Sequence, residues 1–275
     1  MIELHFTKMH GLGNDFVVVD DLFESATSGC ELNSSHAQKI CDRRFGVGAD
    51  QILWLRPALS QSCDARMEIL NADGSIAEMC GNGIRAIALY LKTHGFVKKE
   101  EYSIETLAGV MRVQMLGDEV RVNMGAPTFP FSGFHAEKIQ AADRVFEFYD
   151  VNMGNPHAVV FLDEVDSFPL EIYGPILENH ARFPKRTNVE FVQVLSPHSI
   201  RVRVWERGAG VTLACGTGAC AAAVATLASG RGEGEIEVFL PGGRLKISWE
   251  GGSQSVLMQG SAAEVYHGVY RLLTP

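Results

Sequence analysis

Apolar and polar residues alternate with a period of two through VMRVQML (110–116), break at Gly117-Asp118, and resume in EVRVNMG (119–125). That pattern predicts two adjacent strands joined by a tight turn. IRVRVWE (200–206) alternates in the same way, as does RLKISWE (244–250) after the turn-forming Pro241-Gly242-Gly243. The pattern changes to a helical one in IRAIALYLKTHG, which stops at Gly95, and in ACAAAVATLASG, which stops at Gly230. Glycine just past each run predicts a C-terminal cap. The second run is Ala with Val and Leu on every side, so it predicts a helix buried all round with strands close about it.

Each helical run is entered through the same short signal. EMCGNGIR precedes the first and LACGTGAC the second, both reading Cys-Gly-x-Gly. Two further pairs keep the same order. LGNDFVVVD (12–20) matches MGNPHAVVFLD (153–163), and Arg44-Phe45 matches Arg182-Phe183. Each Phe is followed five positions later by a polar residue, Asp50 or Asn188, and then by a strand-like run. Three weak matches in one order, with nearly constant separation, indicate an internal duplication. The expected fold is α+β: two pseudo-symmetric domains, each a mixed β-sheet or barrel wrapped around a central α-helix. The expected halves are 1–117 with a returning C-terminal strand at about 262–275, carrying Cys80, and 118–261, carrying Cys215. The expected site is the cleft between them.

Composition narrows the class. The 275 residues are 46% hydrophobic and 21% charged, which is ordinary for a globular chain. A net charge of −9, with no Lys/Arg run longer than two residues, argues against nucleic acid as a main partner. The first residues lack a basic segment leading into an apolar one, and Ala219 to Ala228 is too short to cross a bilayer, so no membrane role and a cytoplasmic location are expected. The six cysteines include no C-x-x-C pair, which argues against a structural zinc site, and neither metal nor cofactor is expected. Cys30, Cys41, Cys63 and Cys220 lack a helix-start context and read as packing residues.

A helix N-terminus offers unpaired N–H groups and a partial positive charge, so a cysteine there is expected to have a lowered pKa. The flanking glycines allow a substrate carboxylate to approach the same N–H groups. Two such cysteines on opposite sides of one tetrahedral carbon would suit inversion: one thiolate removes the α-hydrogen while the other, as a thiol, returns a proton to the opposite face.

Taken together, MHGLGNDFVVVD, FGVGADQIL, NADGSIAEMCGNGIR, MGNPHAVVF, RTNVEF, WERGAGVTLACGTGACA and LPGG resemble the diaminopimelate epimerase family from Met9 to Gly243. The resemblance implies a cofactor-independent inversion of LL- to meso-diaminopimelate, on the route to lysine and peptidoglycan precursors, by a homodimer in the cytoplasm. It implies Cys80 and Cys215 as the acid/base pair. It also implies Asn14, Gln51, Asn71, Asn155 and Asn188 as substrate-holding residues. Gly81, Asn82, Gly216 and Thr217 would provide helix-start contacts to the reacting carboxylate. Glu206 and Arg207 would line the site, and His157 with Glu206 would adjust the cysteine pKa values. Ile76, Val211 and Ser261 depart from the family pattern, the first two where an acidic residue is expected and the third where a proline is expected. These departures are expected to touch the rim and a loop.

Three alternatives stand beside this reading. Proline racemase and hydroxyproline epimerase share the two-cysteine logic, and a phenazine-pathway isomerase shares the fold. Gly81-x-Gly83-x-x-Ala86 and Gly216-x-Gly218-x-x-Ala221 also fit a dinucleotide fingerprint, with Glu101 about 20 residues on. That motif requires the glycines to follow a strand directly, whereas NADGSIAEMC intervenes. The third alternative is a duplicated binding module whose cysteines pack or hold a metal.

Overall fold

The alternating segments pair as strands, and they do so in two rounds of one plan. The computed structural model describes residues 2–22, 25–27, 29–94, 99–130 and 133–272. In chain order the first elements are β1 (Ile2–Gly11), β2 (Asn14–Asp20), α1 (Ser34–Cys41), β3 (Gln51–Arg56), β4 (Ala65–Asn71), β5 (Ile76–Ala77) and α2 (Gly81–Thr93). There follow β6 (Glu101–Thr106), β7 (Gly109–Leu116), β8 (Glu119–Asn123), β9 (Ala136–Ala141), β10 (Arg144–Asn152), β11 (Pro156–Phe161), α3 (Leu170–Glu178) and β12 (Asn188–Ser196). The last are β13 (Ser199–Glu206), β14 (Gly210–Thr212), α4 (Gly216–Ala228), β15 (Ile236–Leu240), β16 (Gly243–Ser248), β17 (Leu257–Ser261) and β18 (Ala263–Leu272).

The chain divides into two compact units, residues 1–122 with 261–275, and residues 123–260. In the first unit the strands run β18-β1-β2-β3-β4-β6-β7-β8, with β5 added to β4; β2–β3 and β4–β6 are parallel and the others antiparallel. In the second they run β9-β10-β11-β12-β13-β15-β16-β17, with β14 added to β13, and here β11–β12 and β13–β15 are the parallel pairs. Strand for strand the two orders are the same, and α1 and α3 occupy the same crossover. The division falls after Val122 rather than after Gly117. The β7–β8 hairpin pairs Leu116 with Glu119 and Val113 with Val122, so both its strands stay in one sheet.

The sheet of each unit curls around one helix. α2 packs against β1, β2, β3, β7 and β18, and α4 against β10, β11, β12, β13, β15 and β16. Contact with strands so far apart in the strand order requires a curved sheet. From Gly218 to Thr226 every residue of α4 is buried, as its all-apolar sequence predicts. The small side chains of α4 let strands approach it closely from several sides. α4 ends as expected: Gly230 takes a φ of +70°, its N–H meets the Leu227 carbonyl at 3.1 Å, and the Arg231 N–H meets that of Thr226 at 3.0 Å. That pair of bonds is a Schellman cap. The first helix ends at Thr93 with His94 as its cap residue, and the expected stop at Gly95 lies outside the described residues.

Between β1 and β2 the chain reverses through Leu12 (φ +56°) and Gly13 (φ +85°), a two-residue hairpin turn that brings Asn14 to the start of β2. The next residue, Asp15, is held by Arg43 at 2.7 and 3.1 Å and by Lys8 at 2.6 Å. Burial raises the Asp15 pKa, but those hydrogen bonds and charges outweigh it and hold the group at about 2, against an ordinary 3.8. A depressed carboxylate stabilises the fold above its unfolded pKa and loses that contribution as pH falls through the folded one. Asp15→Asn is therefore expected to cost about 2 kcal/mol at pH 7. Urea titrations of both proteins should show the gap closing as pH falls from about 4 toward 2; a constant gap would assign the loss to something other than this charge.

Candidate active site

In each unit the strand-to-helix connection delivers a cysteine to the first position of the central helix. Cys80 is the N-cap of α2, in an extended conformation (φ −138°, ψ 113°), and its sulfur accepts the Gly83 N–H at 3.3 Å. Its thiol donates to the Asn14 carbonyl oxygen at 3.6 Å, and the Asn82 amide donates to the same oxygen at 3.2 Å. Asn14 in turn donates to Asp50 at 2.8 Å, and Asp50 is ion-paired to Arg43 at 2.7 Å. The amide of Asn82 cannot turn freely, because the fully buried Arg85 donates to its oxygen at 2.9 Å. Arg85 also donates to the Gly81 carbonyl at 3.3 Å and the Ser261 carbonyl at 3.2 Å. Gln51 and Asn71 sit opposite one another across β3 and β4, joined by a 2.8 Å amide–amide bond, and Asn71 is tied to Ser75 at 2.9 Å.

The second unit repeats this arrangement with different chemistry. Cys215 precedes α4 in the same extended conformation (φ −115°, ψ 115°) and is only 6% exposed. Its sulfur lies 3.6 Å from the Thr217 hydroxyl, which accepts from the Asn155 amide at 3.3 Å. The Asn155 oxygen is 2.9 Å from His157 Nε2, and His157 Nδ1 is 2.7 Å from Glu190 Oε1. Asn188 donates to the Pro156 carbonyl at 2.9 Å and accepts the Arg207 N–H at 2.9 Å. The Arg207 guanidinium reaches the Lys185 carbonyl at 3.2 Å. Glu206 accepts from Thr212 at 2.5 Å. Burial pushes the Glu206 pKa up, and hydrogen bonds from Thr212 and Cys215 oppose that shift.

The lowered pKa expected at a helix-start cysteine does not hold for Cys215. Burial, then the charges of Glu206 and Glu190, drive its thiol well above the usual range, against the weaker pull of the Thr217 hydroxyl and the Gly218 N–H. A helix end offers only a partial charge, and burial of the sulfur together with two neighbouring carboxylates exceeds it. The shift favours the thiol form of Cys215, the form that donates a proton.

The ladder registers also correct one match read from sequence. His157 pairs with Asn188 in β11–β12, and Phe16 pairs with Gln51 in β2–β3. The counterpart of Asn188 is therefore Gln51, not Asp50. Asp50 instead orients Asn14. Sequence reading missed Asp50, Arg43, Arg85 and Glu190 as parts of this scaffold. Arg85 and Glu190 left one signal, a charged residue inside an otherwise apolar run, GIRAIAL and NVEFV. Among the cysteines read as packing residues, Cys41 and Cys220 are buried and Cys30 and Cys63 only half-buried; burial raises the Cys41 pKa to about 11. Of the departures, Ile76 and Val211 are exposed on the equivalent short strands β5 and β14, and Ser261 meets Arg85 through its backbone carbonyl. Among the described residues no cluster of three or more His, Cys, Asp or Glu could hold a metal, and no helix is long and apolar enough to cross a membrane.

The fold is one shared with solved structures that include an epimerase and a phenazine biosynthesis protein. It matches a hydroxyproline epimerase from Agrobacterium vitis (TM-score 0.70, 16% identity, covering 98% of this chain and 93% of that one). It also matches a phenazine biosynthesis protein of the PhzF family from Bacillus anthracis (TM-score 0.70, 16% identity, 99% and 100% covered). The family profile described as Diaminopimelate epimerase matches residues 6–130 and 149–265. Proteins named diaminopimelate epimerase from Desulforudis audaxviator (48% identity, 96% of this chain and 98% of that one) and Pelotomaculum thermopropionicum (47%, 97% and 99%) are similar over nearly their whole length. The chain belongs to the diaminopimelate epimerase family.

Proposed function

We propose that this chain interconverts LL- and meso-diaminopimelate without a cofactor, using Cys80 and Cys215 as its acid/base pair. The observation that carries the reading is the repeated one: each unit opens its central helix on a cysteine followed by glycine N–H groups. A substrate α-carboxylate bonded to helix-start N–H groups lowers the cost of placing negative charge on the adjacent carbon, because those donors strengthen as charge develops. One sulfur, as thiolate, takes the α-hydrogen as a proton and leaves its bonding pair on the carbon and carboxylate. The other, as thiol, delivers a proton to the opposite face. The first sulfur ends as thiol and the second as thiolate, so the reverse reaction uses the same two groups with roles exchanged. Asn14, Asn82, Asn155, Thr217 and the N–H groups of Gly81 and Gly216 surround the reacting end in this reading. Gln51, Asn71, Asn188, Glu206 and Arg207 recognise the substrate's charged groups.

The same reading makes the chain a cytoplasmic homodimer that supplies lysine and peptidoglycan precursors, with a small diamino acid as its partner rather than nucleic acid or membrane. The net charge of −9 supports the exclusion of nucleic acid. Turnover of LL-diaminopimelate in D2O tests the mechanism. The meso product is expected to carry deuterium at the inverted carbon, because its new hydrogen comes from a thiol in exchange with solvent. Product free of deuterium would overturn the reading.

A further inference from the structure

The two helix starts rest on different supports at one register position. In the first unit, Phe16 and Leu53 stand on the parallel strands β2 and β3; in the second, the same places hold His157 on β11 and Glu190 on β12. The glycines opposite confirm the match. A Cβ at Gly83 would lie 3.0 Å from Leu53 Cδ2, and one at Gly218 would lie 2.7 Å from Glu190 Oε1 and 3.3 Å from Cys215 Sγ.

An apolar pair is thus sufficient to build this layer, yet the second unit buries two polar groups there, each 0% exposed. Burying a carboxylate costs several kcal/mol unless it is paired and hydrogen-bonded. Glu190 is only partly compensated: Oε1 meets His157 Nδ1 at 2.7 Å, while Oε2 is buried with no hydrogen-bond partner among the described residues. Both ring nitrogens of His157 face oxygens, those of Glu190 and Asn155, so the ring is held at both ends. From Asn155 the chain of contacts continues to the Thr217 hydroxyl and ends at the Cys215 sulfur.

We infer that Glu190 is a positioning residue for Cys215, anchoring His157, and through it Asn155 and Thr217, around the sulfur in a way that the Cys80 helix lacks. This rests on the reading in which Cys215 exchanges a proton with substrate. Glu190 does not touch substrate in this role; it fixes the ring that fixes the amide that holds the hydroxyl. After burial, the charges that raise the Cys215 thiol are those of Glu206 and Glu190, so Glu190 is one of the groups that favour the protonated sulfur.

Glu190→Gln, Glu190→Leu, His157→Asn and the Glu190→Gln/His157→Asn double variant test this together. Glu190→Gln is expected to lower kcat about tenfold or more with KM changed less than about threefold, because orientation is lost and binding is not. The double variant is expected to be no slower than His157→Asn alone, since Glu190 acts through the histidine. Glu190→Leu, which copies the first unit, is expected to melt no lower than the parent and still turn over slowly. Full activity in Glu190→Leu, or rate losses that multiply in the double variant, would overturn the inference. NMR of 13C-labelled cysteine supplies a readout without substrate: Cys215 should ionise at lower pH in Glu190→Gln, and an unmoved titration would also overturn it. A parent protein that makes no deuterated product condemns the epimerase reading alone, and the cysteine titration then still decides whether Glu190 acts on Cys215.

Discussion

Replacing Cys80 or Cys215 by Ala is expected to cut inversion by roughly a thousandfold or more, in both directions of the reaction. Inversion needs a proton removed from one face and another delivered to the opposite face, so neither sulfur can stand in for the other. Loss of Cys80 also removes the acceptor of the Gly83 N–H. An N-cap lost this way costs about 1 kcal/mol, too little to unfold the chain. Circular dichroism should therefore show both variants folded while stereochemical analysis of the product shows no inversion. Near-normal turnover in either variant would show that its sulfur is dispensable. Because a catalyst leaves the LL–meso equilibrium unchanged, equal losses in kcat/KM are expected for the two directions.

The second large effect is expected at a residue with no functional group. Gly218→Ala places a methyl 2.7 Å from Glu190 Oε1 and 3.3 Å from the Cys215 sulfur. The Glu190 carboxylate cannot swing aside, because it is fully buried and tied to His157 at 2.7 Å. The layer must shift. Overpacking of this kind costs about 1–3 kcal/mol of stability. A displaced catalytic group costs on the order of a hundredfold in rate. The matched change in the other unit, Gly83→Ala, meets Leu53 methyls at 3.0 and 3.3 Å, which can give by small rotations. Thermal melts and turnover of the two variants side by side should rank Gly218→Ala as the more damaging in both. A Gly218→Ala protein with parental melting and turnover would contradict the packing described around Cys215.

Much of this architecture is local, and local features are legible in a sequence. Period-two alternation marks β7, β8, β13 and β16 because one face of each is buried and the other is not. Cys-Gly-x-Gly before an apolar helical run marks both helix starts because capping is decided within four residues. Elements without such a period left less trace. α1 is an eight-residue helix with polar residues around most of its surface, and α3 carries Pro175 in its interior. β12 is buried over its first five residues on both faces, so its alternation is erased and the charged Glu190 hides in an apolar run.

The sequence by itself determined the duplication, the two cysteines at the mouths of the central helices, and membership of the family, since each follows from residues adjacent in the chain or from their repetition. Tertiary structure alone decided which repeats are equivalent, because strand register rather than spacing matches Asn188 with Gln51. It alone decided which way the Cys215 pKa moves. A helix end that favours a thiolate can be read locally, but the burial that favours the thiol, and after it the carboxylates on β12 and β13, come only with the fold. Desolvation in a dry interior, with carboxylates at short range, outweighs the partial charge of a helix end. No rule about neighbours in sequence contains that comparison.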